Sequence, residues 1–321
     1  MLGIDVSKNK IDAALANPST RRRQWSEQVT NDVAGIQKLL KQTDPATPWV
    51  VEPTGRYSAL VVKQATEAGR TVLLAPNRAA KHFLKSHNSR VKSDKVDSLG
   101  LALFGLSQPL RTFPIKREKV EQLDQLLSVR KSMAHALQRL KMQHSELSYA
   151  GDALVPAMEA LAAQIKEVDK RIKSLTRSDE DFKLVTTLQS IPGVGPVTAA
   201  ALASRILSKG FVTPDALVAY IGLDVAVRES GKSAGRVRLT KQGDAELRRL
   251  LYLAALANLR CKESVFKDQF QVLRQRGRSK TEALNIIARK IAHICWGLNR
   301  HGGTFDPSRV YRPKETTPPQ N

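Results

Sequence analysis

Four carboxylates carry the clearest chemical signal in this chain. Asp5 sits inside an opening apolar run, Leu2-Gly3-Ile4-Asp5-Val6, and Glu52 ends a second, Trp49-Val50-Val51-Glu52. Asp94 and Asp97 follow in Lys92-Ser93-Asp94-Lys95-Val96-Asp97, and their spacing of three puts both on one face of a helix. An acid inside an apolar strand is costly unless a cation or hydrogen bonds offset it. Hard oxygen ligands converging from two strands and a helix suit Mg²⁺, whose chemistry is with phosphates. Singly, each acid has a plainer reading. Asp5 could cap a turn, Glu52 could pair with Arg56, and Asp94 could answer a helix dipole. Jointly they predict a metal site, with Arg90, Lys92 and Lys95 beside the acid pair as phosphate contacts.

A second constellation runs from Arg228 to Arg238, as Arg228-Glu229-Ser230-Gly231-Lys232-Ser233-Ala234-Gly235-Arg236-Val237-Arg238. Lys241 and the pair Arg248-Arg249 extend its positive charge. Two serines lie among small residues and cations that could stabilise charge on an attacked phosphate. A serine hydroxyl needs help to act as a nucleophile near neutral pH. From spacing alone, a phosphate-binding Ser/Gly loop without a covalent role is therefore the simpler reading.

The elements that must position these groups divide into three textures. Strands are expected at Leu2–Val6, Lys10–Leu15, Gln24–Val29, Trp49–Glu52 and Thr71–Ala75. Helices are expected at Val33–Lys41, Tyr57–Ala68, Asn77–Lys85 and Ser93–Leu106. Three consecutive strands followed by alternating helices and strands is the RNase H-like order, a mixed sheet flanked by helices. This predicts an α/β domain over residues 1–108.

Residues 109–180 predict a helical coiled-coil region. Leu154, Met158, Leu161, Ile165, Val168, Ile172 and Leu175 recur in alternating steps of four and three, a heptad seam. An intramolecular helical hairpin and an intermolecular coiled coil both satisfy it, and the second would make the protein at least a dimer. Residues 181–305 predict a mainly helical domain opening on a helix-hairpin-helix, Ile191-Pro192-Gly193-Val194-Gly195-Pro196. Gly193 and Gly195 allow a tight turn and bring backbone N–H groups near a phosphate. A compact helix–helix joint without a ligand is the alternative. Residues 306–321 predict a disordered tail.

Composition fits a polyanion partner. Lys and Arg number 52 against 30 acidic residues, a formal net charge of +22. Nucleic acid is the expected partner, and its binding should weaken with salt. Neither a membrane span nor a signal peptide is expected. The two cysteines, Cys261 and Cys295, are too few for a disulfide framework and point to a reducing cytoplasm and to packing within helices. The six histidines form no zinc pattern with them.

Several motifs in fixed order carry a resemblance. They are Gly3-Ile4-Asp5-Val6-Ser7-Lys8, Val51-Glu52-Pro53-Thr54-Gly55, the Asp94/Asp97 segment, the Gly193/Gly195 hairpin and Glu229-Ser230-Gly231-Lys232-Ser233. With Ala219-Tyr220-Ile221-Gly222-Leu223 and Leu247-Arg248-Arg249-Leu250-Leu251-Tyr252, the chain resembles the DEDD-type insertion-sequence transposases, the IS110 family. The resemblance implies a RuvC-like domain, a coiled-coil middle and a C-terminal transposase domain. It implies Mg²⁺ held by Asp5, Glu52, Asp94 and Asp97, and Ser230 as nucleophile in a phosphoserine link to DNA, with Ser233 a rival. A noncoding bridge RNA pairing with donor and target DNA is implied as guide. So are dimers pairing into a tetramer, with the RuvC-like domain of one protomer working with the transposase domain of another, in a prokaryotic cytoplasm at the nucleoid. Two rival classes remain at this level. One is a hydrolytic, structure-selective nuclease resembling a Holliday-junction resolvase, in which Ser230 only holds phosphate. The other is an RNA-binding scaffold whose acids stabilise loops.

Overall fold

The computed structural model describes residues 1–53, 57–87, 94–112, 118–177, 180–226, 238–261 and 264–310. The chain divides into two compact units, Met1–Ile115 and Lys116–Asn321.

The first unit is built on a mixed five-stranded sheet of order β3-β2-β1-β4-β5, comprising β1 (Leu2–Val6), β2 (Lys10–Ala16), β3 (Arg23–Thr30), β4 (Trp49–Val51) and β5 (Val72–Leu74). β1, β2 and β3 pair antiparallel, while β4 runs parallel to both β1 and β5. This is consistent with the expected RNase H-like arrangement. The helices are α1 (Val33–Gln42), α2 (Ala59–Glu67), α3 (Asn77–His87) and α4 (Asp94–Ser107).

Strand alternation separates two faces. Leu2, Ile4, Ile11, Ala13, Trp49 and Val51 are buried in a core shared with Ile36 and Leu39 of α1 and Val61 and Val62 of α2. The opposite face carries Gly3, Asp5, Asp12, Ala14 and Val50. Val50 packs there with Ala80 of α3 and Leu101 and Phe104 of α4. Asp32 caps α1 by accepting the Gly35 N–H at 2.8 Å. The buried Arg70 guanidinium closes the other end of α1 by donating to the carbonyls of Leu40 and Thr43, both at 2.8 Å. The unit runs past the boundary expected at 108. The Leu74 N–H donates to the Arg111 carbonyl at 2.8 Å and Leu73 bridges to Thr112, so this stretch returns along the free edge of β5.

The second unit is mainly helical. It comprises α5 (Glu118–Glu146), α6 (Val155–Arg177), α7 (Lys183–Gln189), α8 (Pro196–Lys209), α9 (Pro214–Ile221), α10 (Ala245–Asn258), α11 (Val265–Gln275) and α12 (Lys280–His301). A two-stranded antiparallel ribbon, β6 (Val225–Ala226) and β7 (Arg238–Leu239), interrupts them. α5 and α6 form a hairpin within the chain, held by a fork from Arg130 to Asp169 and by the apolar seam. Val120, Leu123, Val168 and Ile172 join one core with α7 to α12, so the middle region packs as part of this unit.

Two expectations change here. Cys261 lies in a bend just after α10, whereas Cys295 is buried in α12. Residues 306–310, assigned above to a disordered tail, form a capped 3₁₀ turn at Pro307–Arg309, and Val310 is buried in the core. The remainder of that tail lies outside the described residues.

Candidate active site

Gly3 brings β1, which carries Asp5, into direct contact with α4, which carries Asp97. A Cβ built on Gly3 would stand 2.0 Å from the Ser98 carbonyl oxygen and 2.4 Å from the Ala102 nitrogen, so α4 rests directly on β1. Asp5, two residues along, shares that face. Val50 is the register partner of Gly3 in β4, and it touches α4 where a Cβ on Gly105 would come within 2.5 Å. Glu52 directly follows Val51, the register partner of Ile4, just as Asp5 directly follows Ile4. Asp97 adjoins Ser98 on the helix that covers both.

Electrostatics agree with this placement. The Glu52 carboxyl is pushed above its ordinary value by burial, then by the negative charges of Asp5 and Asp97, while Lys81 of α3 pulls it down. Three of the four predicted acids therefore sense one another. Among the described residues no three His, Cys, Asp or Glu side chains close into a cage by themselves. An open set of carboxylate oxygens still fits Mg²⁺, which keeps several waters and takes only one or two carboxylates directly. Asp94 begins α4, but its side chain and that of Lys95 lie outside what is described, as do Arg90 and Lys92 entirely.

In the second unit, Ser230, Lys232, Ser233 and Arg236 fall outside the described residues, as does the side chain of Arg238. The stem of their loop is described. Val225 pairs with Leu239, and the Thr240 N–H donates to the Asp224 carbonyl at 2.8 Å. Gly243 seats the far side of the stem on the end of α9, because a Cβ there would lie 2.1 Å from the Tyr220 carbonyl oxygen. Arg248 donates to the Ile221 carbonyl at 2.8 Å, and Arg249 forks onto Glu246. Lys241 is exposed and held at φ 51°, a left-handed conformation disfavoured for a lysine.

The helix-hairpin-helix glycines differ. Gly193 has φ 78°, and a Cβ there would meet the Ala254 carbonyl oxygen at 2.3 Å, so its bareness serves packing on α10. Asn258 fastens the same joint by donating to the carbonyls of Pro192 and Ala254 at 2.7 and 2.9 Å. Gly195 is the N-cap of α8, makes no side-chain cap and has open space around it.

Two family models match the chain. One, described as a transposase of the DEDD IS110 type, covers residues 2–147, and the other, described as the transposase IS116/IS110/IS902 family, covers residues 185–271. The chain belongs to the IS110 family of transposases. It is similar to a pilin gene-inverting protein of Moraxella bovis, 24% identical over 316 residues, covering 95% of this chain and 97% of that protein. It is also similar to a putative transposase, y4pF/y4sB, of Sinorhizobium fredii, 28% identical over 282 residues, covering 74% and 69% respectively. A third relative is the transposase for insertion sequence element IS1328 of Yersinia enterocolitica, 25% identical over 260 residues, covering 80% and 71%. As an IS110-family enzyme, this DNA transposase or recombinase takes DNA as substrate, and its DEDD domain implies dependence on a divalent metal. No helix among the described residues is long and apolar enough to cross a membrane.

Sequence reasoning missed three features of this IS110-family chain. Asp12 is a buried carboxylate facing Asp5 across the strand pair, signalled only by a charge at an inward position of β2. Lys81 reaches the electrostatic field of Glu52 from α3, which no motif marked. Arg205 of α8 bridges Asp124 of α5 and Asp244, the N-cap of α10. Burial pushes the neighbouring Tyr220 phenol up, while Arg205 pulls it the other way. That network joins three helices at the base of the stem, and its members are too far apart in sequence to read as a motif.

Proposed function

We propose that the protein excises and integrates an insertion sequence through Mg²⁺-dependent cleavage and rejoining of DNA, with a phosphoserine intermediate. The Glu52 carboxyl, raised by burial and then by the charges of Asp5 and Asp97, is the observation that carries the metal half of this reading. Asp5, Glu52, Asp94 and Asp97 would hold Mg²⁺, which polarises a phosphate when bound. Ser230 Oγ attacks the scissile phosphorus. A serine–phosphate ester forms, the bond to one DNA oxygen breaks, and that oxygen leaves as a hydroxyl carrying the serine proton. The reverse attack by a DNA hydroxyl rejoins the strand without ATP.

Phosphate contacts are assigned to Arg90, Lys92, Lys95, Lys232, Ser233, Arg236, Arg238 and Lys241 around the two centres, and to the N–H groups at Gly193 and Gly195. The open start of α8 supports the last of these. Arg248 and Arg249 join them as added positive charge, although both also brace α9 and α10. The family resemblance supports a bridge RNA as guide and a dimer or tetramer as the working form, in a prokaryotic cytoplasm at the nucleoid. Apolar residues left exposed on the α5 hairpin and its turn, Val129, Met142, Leu147 and Tyr149, support self-association.

The test is a trapped adduct. Protein, guide RNA, element-end DNA and Mg²⁺ are mixed and then denatured. Wild type should leave a protein–DNA adduct that Ser230→Ala lacks. Free 5′-phosphate ends without an adduct would instead indicate a hydrolytic nuclease.

A further inference from the structure

Asp5 and Asp12 are direct cross-strand partners in the antiparallel pair of β1 and β2. Residues so paired share a face with Cβ atoms about 4.5–5.5 Å apart, and like charges there destabilise a sheet. Asp12 is nevertheless only 3% exposed, at a position where the neighbouring inward residue of β2 is Ala14. Its side-chain partners are Gln28 and Lys10. Gln28, opposite it on β3, donates Nε2 to Asp12 Oδ1 at 2.9 Å, and Lys10 Nζ stands 3.6 Å from Oδ2, beyond a direct hydrogen bond. Gln28, Asp12 and Asp5 thus form a row across three strands, and Glu52 follows directly after the end of the next strand, β4. Asp12 is therefore a buried acid held by one neutral donor and a lysine 3.6 Å away, directly opposite a second acid, an arrangement that a nearby cation would favour.

We propose that Asp12 is a positioning residue of the carboxylate centre. It accepts a hydrogen bond from a water that completes the shell of a divalent ion at Asp5, and it fixes that shell without touching the metal or the DNA. Outer partners of this kind orient the direct ligands. The inference rests on the metal-ion reading above and adds a fifth acid to it.

Mn²⁺ binding to the full-length, metal-free protein, followed by electron paramagnetic resonance and by the metal-induced rise in Tm, separates the two. Asp12→Asn keeps one oxygen to accept from Gln28, removes the charge and exchanges the second acceptor oxygen for an NH₂ donor. Its metal-free Tm should match or exceed that of wild type, because a like-charge pair is gone. Its Mn²⁺ affinity should fall about 10- to 100-fold, with a smaller metal-induced Tm rise. Wild-type affinity in this variant would overturn the role of Asp12 and leave the metal site standing. A wild-type protein that binds no Mn²⁺ would overturn the metal reading itself. Should Asp12→Asn not fold, Gln28→Leu carries the test, since it frees the carboxylate it now holds. A several-fold loss of affinity is expected there, and unchanged affinity overturns the proposal.

Discussion

Gly3 of β1 lies directly beneath Ser98 of α4, so close that a methyl group would stand 2.0 Å from the Ser98 carbonyl oxygen. That contact sets the height of α4 above the sheet and hence where Asp97 stands relative to Asp5. Gly3→Ala should cost at least the ~1–3 kcal/mol usual for overpacking, because backbone atoms and not a flexible side chain must move. Thermal unfolding of the metal-free protein measures the loss. Divalent-ion affinity should fall with it, since α4 is lifted from Asp5. An alanine variant with wild-type Tm and affinity would show that α4 is not positioned this way.

Glu52 gives a signed pH dependence. Its folded-state pKa lies above the ordinary 4.5, through burial and then through Asp5 and Asp97. At low pH the folded and unfolded chains both carry the proton. As pH rises past the unfolded value the unfolded chain ionises first, so stability is lost until the folded pKa is passed. Glu52→Gln removes this contribution. The Tm of the variant minus that of metal-free wild type should therefore grow as pH rises above the ordinary 4.5 and level off once the raised folded-state value is passed. Saturating Mg²⁺ should stabilise wild type above that value and leave Glu52→Gln little changed. A Tm difference flat with pH would contradict the shift.

The two hairpin glycines should separate stability from binding. Gly193→Ala forces a side chain at φ 78° against the Ala254 carbonyl and should destabilise by about 1–3 kcal/mol. Gly195→Ala has open space and an extended backbone, so its stability should stay within about 1 kcal/mol of wild type. Its affinity for DNA or RNA should nonetheless weaken several-fold, read by fluorescence anisotropy at fixed salt. Unchanged affinity would make the joint purely structural.

The first unit could be read closely from sequence because its strands are short, apolar and bounded by turn residues. Leu2–Val6 and Trp49–Val51 stand out by composition, and their acids by contrast with it. Asp12 escaped because a single charge in Lys10-Ile11-Asp12-Ala13 looks like ordinary alternation until the register with Asp5 is known. The heptad row on α6 was visible, but periodicity cannot say which chain supplies the partner. The structure places α5 of the same chain against it. The ribbon at the serine loop was missed because two-residue strands carry no pattern. The Arg205, Asp124 and Asp244 network was missed because its members come from three separate helices. Only tertiary packing brings such residues together.

The central claim is that the acids of the first unit gather around a divalent ion, and anomalous scattering from crystals soaked in Mn²⁺ tests it most directly. The account predicts a peak with carboxylate oxygens of Asp5, Glu52 and at least one of Asp94 and Asp97 around it, the nearest at about 2.0–2.6 Å. Mn²⁺ peaks elsewhere, with these four side chains free of metal at saturating concentration, would contradict it.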